Sequence, residues 1–271
     1  MAELEDTLRA RRDDGGKAFV PYVTGGLRGV DAELLHGLQE AGADAIEVGI
    51  PFSDPVMDGG VIQEASRLAL EAGTRPADVL ATIRRAELGI PVAVMTYYNP
   101  ILRYGPAEFL VDANSAGVSG AIVPDLPVDE AEEWTTACRI SGVDPVFLAA
   151  PGSSPQRLAA VAGAASGFVY CVATYGVTGE RERLAGTAEE LVSALRPLTD
   201  IPLLVGVGIG TPEQAAEACA FADGVIVGSA LVRRLLEGDR EDVLASASAF
   251  RRAIGPPAGQ ARETSVTYNP S

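Results

Sequence analysis

Eight short apolar segments, rich in β-branched and aromatic residues, recur along the chain and are separated by segments with helical periodicity. The predicted strands cover residues 18–24, 44–50, 91–97, 120–125, 145–150, 167–173, 202–208 and 223–228. Apolar strands that alternate with helices are typical of a parallel sheet whose faces are covered. Eight such units favour a closed (β/α)8 TIM barrel with extra helices over an open, Rossmann-like sheet, but periodicity alone leaves both architectures open.

The length of the chain, 271 residues, suits one such barrel. We predict a single barrel domain over residues 1–254, with an N-terminal helix at 4–12 placed to plug one end of it. Residues 255–271 are rich in Gly and Pro and contain little that could be buried. They are therefore predicted to form a loose C-terminal tail.

The connections after the second and sixth predicted strands interrupt the regular alternation. Residues 51–60 form a loop rich in Pro and Gly, which is followed by two predicted helices at 61–73 and 76–89. Residues 174–187 are predicted to form a second long loop. Both connections follow the C-terminal ends of strands, the face on which TIM barrels carry their active sites. Functional residues are therefore expected in these two loops.

The charge balance narrows the class of ligand. The chain has 37 acidic and 21 basic residues and a formal net charge of −16. This balance argues against binding to a nucleic-acid backbone and favours a small ligand that is held locally. No apolar run approaches the roughly 18–20 residues that a membrane span requires, and the N-terminus is charged rather than signal-like. We expect a cytoplasmic protein without nucleic-acid or membrane partners.

Cysteine and histidine chemistry is not indicated. Cys138, Cys171 and Cys219 lie far apart without a C-x-x-C pair, which predicts buried apolar side chains rather than disulfides or metal ligands. The only histidine, His36, lies on a predicted helix, so neither a Ser-His-Asp triad nor a histidine metal site is expected. No metal is predicted. Acid–base chemistry then falls to carboxylates, tyrosines or the only lysine, Lys17.

Glu47 lies inside the apolar run of the second predicted strand. Because side chains alternate along a strand, Ala45, Glu47 and Gly49 share one face, and the larger apolar residues between them should face the helices. Glu47 is then expected to point into the barrel near its mouth, where loss of water raises the pKa of a carboxyl and suits it to proton transfer. The alternative is a structural ion pair with an arginine. Asp58, in the following loop, supplies a second carboxylate, although an Asp before Gly is often only a turn residue.

Glycines after the last two predicted strands indicate a phosphate site. Backbone amides and a helix N-terminus in this part of a TIM barrel can hold a dianion without a lysine. The segment is not a dinucleotide fingerprint, because Thr211 stands where the last glycine of that motif would be needed. Each glycine taken alone could equally serve a turn or close packing. The candidates are Gly206, Gly208, Gly210, Gly228 and the adjoining Ser229.

Several motifs together resemble one family. They are PYVTGG (21–26), IEVGIPFSDPVMDG (46–59), MTYYNP (95–100), PDLPVDE (124–130), GVTG (176–179), GVGI (206–209) and VIVGSA (225–230). In this order the chain, over roughly residues 18–250, resembles the α subunit of tryptophan synthase. The resemblance implies a (β/α)8 lyase of L-tryptophan biosynthesis that cleaves indole-3-glycerol phosphate to indole and glyceraldehyde 3-phosphate by a retro-aldol reaction. It implies no cofactor on this chain and transfer of indole to a pyridoxal-phosphate β subunit in an α2β2 complex.

The resemblance also implies roles for individual residues. Glu47 and Asp58 match the catalytic carboxylates. Glu47 is expected to protonate indole C3 and to take the proton of the 3′-hydroxyl, and Asp58 is expected to contact the indole N–H. Asp125 matches an aspartate used in communication with the partner. The substrate-binding positions implied are Tyr97 and Tyr170 at the indole pocket, Thr178 in the loop after the sixth strand, and Gly179, Gly208, Gly228 and Ser229 at the phosphate.

Departures from the family pattern leave alternatives open. They fall at Leu27-Arg28, Met57, Gly60 and Ala173, and Gly60 adds backbone freedom where members carry proline. The departures bear on loop geometry and on coupling to a β subunit. The alternatives are a free-standing indole-producing lyase, a barrel that binds or activates a partner without catalysis, and a phosphosugar isomerase or aldolase. A phosphosugar isomerase or aldolase would need a Schiff-base lysine or a metal cluster. Lys17, the only lysine, is poorly placed to form a Schiff base.

Overall fold

The computed structural model describes residues 4–172, 181–206, 208–238 and 240–255, with residues 181–186 as helical backbone only. Thr178, Gly179 and Ala173, named above for the substrate site and for a departure, lie outside the described residues. So do residues 256–271 of the predicted tail.

The described strands form a closed, fully parallel barrel in which each strand pairs with its neighbour in sequence and β8 returns to β1. Closure is set by the pairing of Ala18 with Gly224 and of Pro21 with Val227. The predicted TIM barrel is therefore confirmed, and the open sheet is excluded. The strands are β1 (Ala18–Thr24), β2 (Ile46–Gly49), β3 (Val92–Met95), β4 (Val118–Ile122), β5 (Asp144–Ala149), β6 (Val169–Val172), β7 (Leu203–Gly206) and β8 (Gly224–Val227).

Helices cover the outer face of the barrel, and two of them, α3 and α4, lie between β2 and β3 as expected. Short 3₁₀ turns occupy Val128–Glu130 and Arg196–Leu198. The helices are α1 (Leu4–Asp13), α2 (Ala32–Glu40), α3 (Gly60–Glu71), α4 (Pro76–Ala86), α5 (Tyr98–Tyr104), α6 (Pro106–Ser115), α7 (Glu132–Ser141), α8 (Pro155–Ala164), α9 (Arg181–Leu195), α10 (Pro212–Cys219), α11 (Ser229–Glu237) and α12 (Arg240–Ala253).

One local prediction is wrong, and two helices are missing from the predicted elements. The predicted loop over residues 174–187 is helical from Arg181 onward, because this part of α9 is rich in strong helix formers that outweigh the cost of about 1 kcal/mol for Gly186. The short helix α5 is absent from the predicted elements. Its Pro100 falls in the first turn, where the missing N–H costs nothing. The helix α12 is also absent from them, although its buried residues Val243, Ala247 and Phe250 follow helical spacing.

Helix α1 closes the N-terminal end of the barrel, as predicted. Leu4 and Leu8 are fully buried on its inner face. The side chain of Leu4 reaches so close to β4 that a Cβ at Gly120 would lie 2.4 Å from its Cδ2 atom, which excludes larger residues there. With this end filled, a ligand has access only from the C-terminal end of the strands.

A buried ion network ties α12 to the same N-terminal face. The Asp44 carboxylate accepts hydrogen bonds from the Phe19 backbone N–H and from Arg251 Nη1, both at 2.8 Å. Arg11 Nε of α1 lies 3.7 Å from the other carboxylate oxygen. All three charged side chains are buried, so the first and last described helices are locked to the start of β1. The network lies at the N-terminal end of the barrel, away from the loops at the C-terminal ends of the strands.

Candidate active site

Glu47 lies within the barrel wall on β2, between Tyr22 of β1 and Ala93 of β3 in the strand register. Its side chain is 1% exposed, and its Oε2 atom has no hydrogen-bond partner in the part of the chain that the structure describes. No lysine or arginine of the described residues forms an ion pair with Glu47. The alternative interpretation, a structural ion pair with an arginine, is therefore not observed among these residues. Burial, and secondarily the negative charge of Asp58, raises the pKa of Glu47 to about 8.

Asp58 lies in the loop between β2 and α3 and is half-buried. Its backbone N–H donates to the Pro55 carbonyl at 3.0 Å, and its own carbonyl accepts from Gln63 Nε2 at 2.9 Å. Burial raises the pKa of the Asp58 carboxyl to about 6, and a hydrogen bond from the Tyr97 hydroxyl opposes that rise. At a pH between these two pKa values, the Glu47 carboxyl is mostly protonated and the Asp58 carboxyl is mostly ionised. The two groups can therefore have different chemical roles.

Tyr97 holds the Asp58 loop in place. Its hydroxyl accepts a hydrogen bond from the Met57 backbone N–H at 2.8 Å and donates one to the Asp58 carboxylate. Its ring stacks on Phe52 at a centroid distance of 5.0 Å. The Met57 side chain is 57% exposed, so the residue that departs from the family pattern faces outward while its backbone serves the site.

Asp125, in the loop that follows β4, supports the Asp58 loop indirectly. Its carboxylate accepts a hydrogen bond from the Tyr98 backbone N–H at 2.9 Å, at the first residue of α5. This contact satisfies one of the otherwise open N–H groups of the helix N-terminus. Because Tyr97 immediately precedes α5, Asp125 fixes the backbone from which the Tyr97 ring projects.

Two buried tyrosines, Tyr22 on β1 and Tyr170 on β6, reach across glycines of the adjacent strands. A Cβ at Gly49 would lie 2.1 Å from the Tyr22 hydroxyl oxygen, and a Cβ at Gly206 would lie 2.4 Å from that of Tyr170. Gly206 thus makes room for a tyrosine, which accounts for the glycine at this position without a phosphate. Burial raises the pKa of both tyrosines, and the nearby carboxylates add to the rise, so both hydroxyls stay protonated.

Tyr22 is absent from the site residues predicted from the sequence. It lies in the PYVTGG segment, and strand alternation places it on one face with Val20 and Thr24. That periodicity was a usable signal. The contact of Tyr22 with Gly49 depends on the pairing of β1 with β2, which no local pattern specifies.

The two candidate helix starts for phosphate binding differ. At α10, Gln214 Oε1 accepts from the backbone N–H groups of Gly210 at 2.7 Å and Thr211 at 3.2 Å, so a capping box already occupies these donors. At α11, the N-cap residue Gly228 provides no side-chain cap. The N–H groups of Leu231 and Val232 bond the Gly228 carbonyl, and the N–H groups that precede them, beginning with Ser229, can serve an anion. Gly208 has a positive φ of 86°, which favours glycine at the end of the β7 loop.

Other reactive residue types lie away from this mouth or are chemically quiet. His36 is exposed on α2, and Cys138, Cys171 and Cys219 are buried free thiols, as expected. Within the described ranges, no cluster of three or more His, Cys, Asp or Glu side chains is arranged to hold a metal ion. Among the same residues, no helix has the length and apolar character needed to cross a membrane.

Comparisons with known proteins agree on one family. A family model described as tryptophan synthase alpha chain matches residues 8–254. A tryptophan synthase alpha chain from Streptomyces avermitilis is 45% identical over 256 residues, which cover 93% of this chain and 92% of the relative. A solved structure of tryptophan synthase from M. tuberculosis matches with a TM-score of 0.84 and 39% identity, over 94% of this chain and 99% of that one. The alpha subunit from Legionella pneumophila matches with a TM-score of 0.86 and 34% identity, over 94% and 98%.

Proposed function

This chain belongs to the tryptophan synthase alpha chain family, whose members are carbon–carbon lyases acting on indole-3-glycerol phosphate, and we propose that Glu47 and Asp58 carry out that cleavage here. The observation that carries the proposal is the buried Glu47 carboxyl, whose Oε2 atom has no hydrogen-bond partner among the described residues, beside a second carboxyl of lower pKa. Near neutral pH this pair supplies one proton donor and one anion. The retro-aldol reaction requires both.

The reaction begins with proton transfer from the Glu47 carboxyl to indole C3. The ring then carries positive charge on its nitrogen, and the Asp58 carboxylate stabilises this charge by accepting a hydrogen bond from the indole N–H. The Glu47 carboxylate next takes the proton of the 3′-hydroxyl. The bond between C3 and C3′ breaks, its electrons return to the indole ring, and the former hydroxyl carbon becomes the aldehyde of glyceraldehyde 3-phosphate. Glu47 ends the cycle protonated, so the protons balance without a cofactor.

The remaining substrate contacts are proposals of the same kind. We assign Tyr97 and Tyr170 to the indole ring, since both rings are buried at the mouth that holds Asp58 and Glu47. The uncapped start of α11 at Gly228 and Ser229, together with Gly208, is assigned to the phosphate. Thr178 and Gly179 retain their assignment to the substrate from the family resemblance alone.

The partner proposed for this chain is a pyridoxal-phosphate β subunit in an α2β2 complex, which would receive the indole. The loop that carries Asp58 presents two adjacent exposed apolar side chains, Val56 at 79% and Met57 at 57% exposure, which such a partner would cover. We further propose that residues 1–254 act as one domain and that the enzyme works in the cytoplasm. A free-standing lyase, in which the indole serves another pathway, remains the second candidate.

Incubation of the isolated chain with indole-3-glycerol phosphate tests this proposal. We expect indole and glyceraldehyde 3-phosphate to appear in equal amounts. Addition of purified β subunit should raise the rate, and the β subunit should co-elute with the chain in gel filtration. Turnover that is unaffected by β subunit, without co-elution, would identify a free-standing lyase. No turnover under either condition would leave a barrel that binds without catalysis and would refute the proposed function.

A further inference from the structure

Tyr22 lies between the two halves of the proposed site. On one side its hydroxyl occupies the space above Gly49, two residues after Glu47 on the same strand face. On the other side its ring lies against Gly228, since a Cβ at that glycine would meet the Tyr22 Cδ1 atom at 3.4 Å. The side chain therefore spans the distance from the acid–base carboxyl to the start of α11.

Among the described residues, the Tyr22 hydroxyl makes one long hydrogen bond. Its hydrogen-bond partner is Thr24 Oγ1 at 3.4 Å, which is longer than the usual 2.7–2.8 Å or so for O–H···O bonds. The Tyr97 hydroxyl, by contrast, is held by Met57 and Asp58. Burial raises the pKa of Tyr22 and the charge of Asp58 adds to the rise, so its proton is available to a ligand at any working pH.

We propose that Tyr22 is a substrate-positioning residue whose hydroxyl donates a hydrogen bond to the free hydroxyl on the three-carbon chain of the substrate. The inference rests on the proposed function, which places the 3′-carbon at Glu47 and the phosphate at Gly228. The portion of the substrate between these two points is the glycerol chain, and its 3′-hydroxyl is already engaged by Glu47. The 2′-hydroxyl therefore lies where Tyr22 can bond it.

The ring and the hydroxyl of Tyr22 have separable effects. The ring fills space beside Gly228, and phenylalanine would fill that space equally. The hydroxyl matters only for a ligand that carries a hydroxyl opposite it. A comparison of two ligands that differ only in these chain hydroxyls therefore distinguishes recognition from packing.

The test compares wild type with Tyr22→Phe on two ligands. For indole-3-glycerol phosphate we expect kcat/KM to fall about tenfold, the effect of one lost hydrogen bond between neutral groups, with most of the change in KM. For the otherwise identical 3-indolylpropyl phosphate, in which hydrogen replaces both chain hydroxyls, the inhibition constant should change less than about twofold, since no bond is lost. Tyr104→Phe is the matched control, because it removes a hydroxyl that bonds Asp112 outside the barrel, and it should leave both values unchanged.

Equal weakening of both ligands by Tyr22→Phe would show that the residue acts by packing and would overturn the inference. Unchanged kcat/KM for the substrate would overturn it as well. The thermal unfolding of the variant and the wild type is compared in parallel, so that a folding defect is recognised and not mistaken for either result. Failure of the proposed function is recognised separately, because wild type would then show no turnover.

Discussion

Replacement of Glu47 by glutamine should abolish nearly all cleavage, with kcat falling by about 10³–10⁴-fold, toward the upper end of what one acid–base group contributes. Glutamine fills the same buried space without a charge, but it can neither protonate indole C3 nor remove the 3′-hydroxyl proton. Both transfers are assigned to this one side chain, so both are lost together. The measurement is the rate of indole release at saturating substrate, with thermal unfolding recorded alongside it.

Glu64→Gln is the control for that substitution. Glu64 is an exposed glutamate on α3 that pairs with Arg67, away from the barrel interior. Its replacement should leave kcat within about twofold, as is usual for a surface ion pair of small energetic worth. A Glu47→Gln enzyme that retains more than about a tenth of wild-type kcat would be incompatible with Glu47 as the acid–base group.

Replacement of Asp58 by asparagine should lower kcat by about 10²–10³-fold, because the positive charge that develops on the indole nitrogen loses its counter-charge. The pH dependence should change as well. The acid limb near pH 6, which reports ionisation of Asp58, should disappear. The alkaline limb near pH 8 should move to lower pH, since the nearby negative charge that helps to raise the pKa of Glu47 is gone.

Asp54→Asn provides the matched control for Asp58→Asn. Asp54 lies in the same loop, but it is exposed and bonds the Ser53 hydroxyl rather than Tyr97. Its variant should keep both limbs of the profile and nearly the wild-type kcat. Unaltered limbs in Asp58→Asn would contradict the assignment of the acid limb to Asp58.

The barrel itself could be predicted from the sequence because each strand is a compact apolar run with turn residues on both sides. The count of eight units favoured closure but could not establish it, since closure depends on the pairing of β8 with β1 between residues far apart in the chain. Helix α5 illustrates a second limit. Pro100 is tolerated only because it falls within the first turn, and that turn is set by the contact of Asp125 with Tyr98.

Residues of the candidate site could be predicted where the signal lies in a short stretch of sequence. Strand alternation alone placed Glu47 toward the interior. The Thr211–Gln214 capping box was also readable, and it would have removed the start of α10 from the phosphate candidates. Strand alternation also indicates the face on which Tyr22 lies, but its contact with Gly49 could not be predicted, because the two residues lie on different strands.

Two departures from the family pattern have structural accounts. Gly60 is the first residue of α3, where proline is also favoured, and a Cβ there would meet no other atom within 4 Å. Nothing in the surrounding packing therefore requires glycine at this position. Leu27 is buried while Arg28 is exposed, so the first of this pair adds to the core and the second to the surface.

Titration of the Glu47 carboxyl tests the central claim most directly. With ¹³C-labelled glutamate side chains, the infrared band of a protonated carboxyl that is present in wild type and missing in Glu47→Gln belongs to this residue. Burial and the nearby charge of Asp58 predict that this band disappears with a midpoint near pH 8 in the substrate-free enzyme. A midpoint near the usual value of 4.5 would mean that Glu47 is ionised at neutral pH, and it could not then serve as the proton donor to indole.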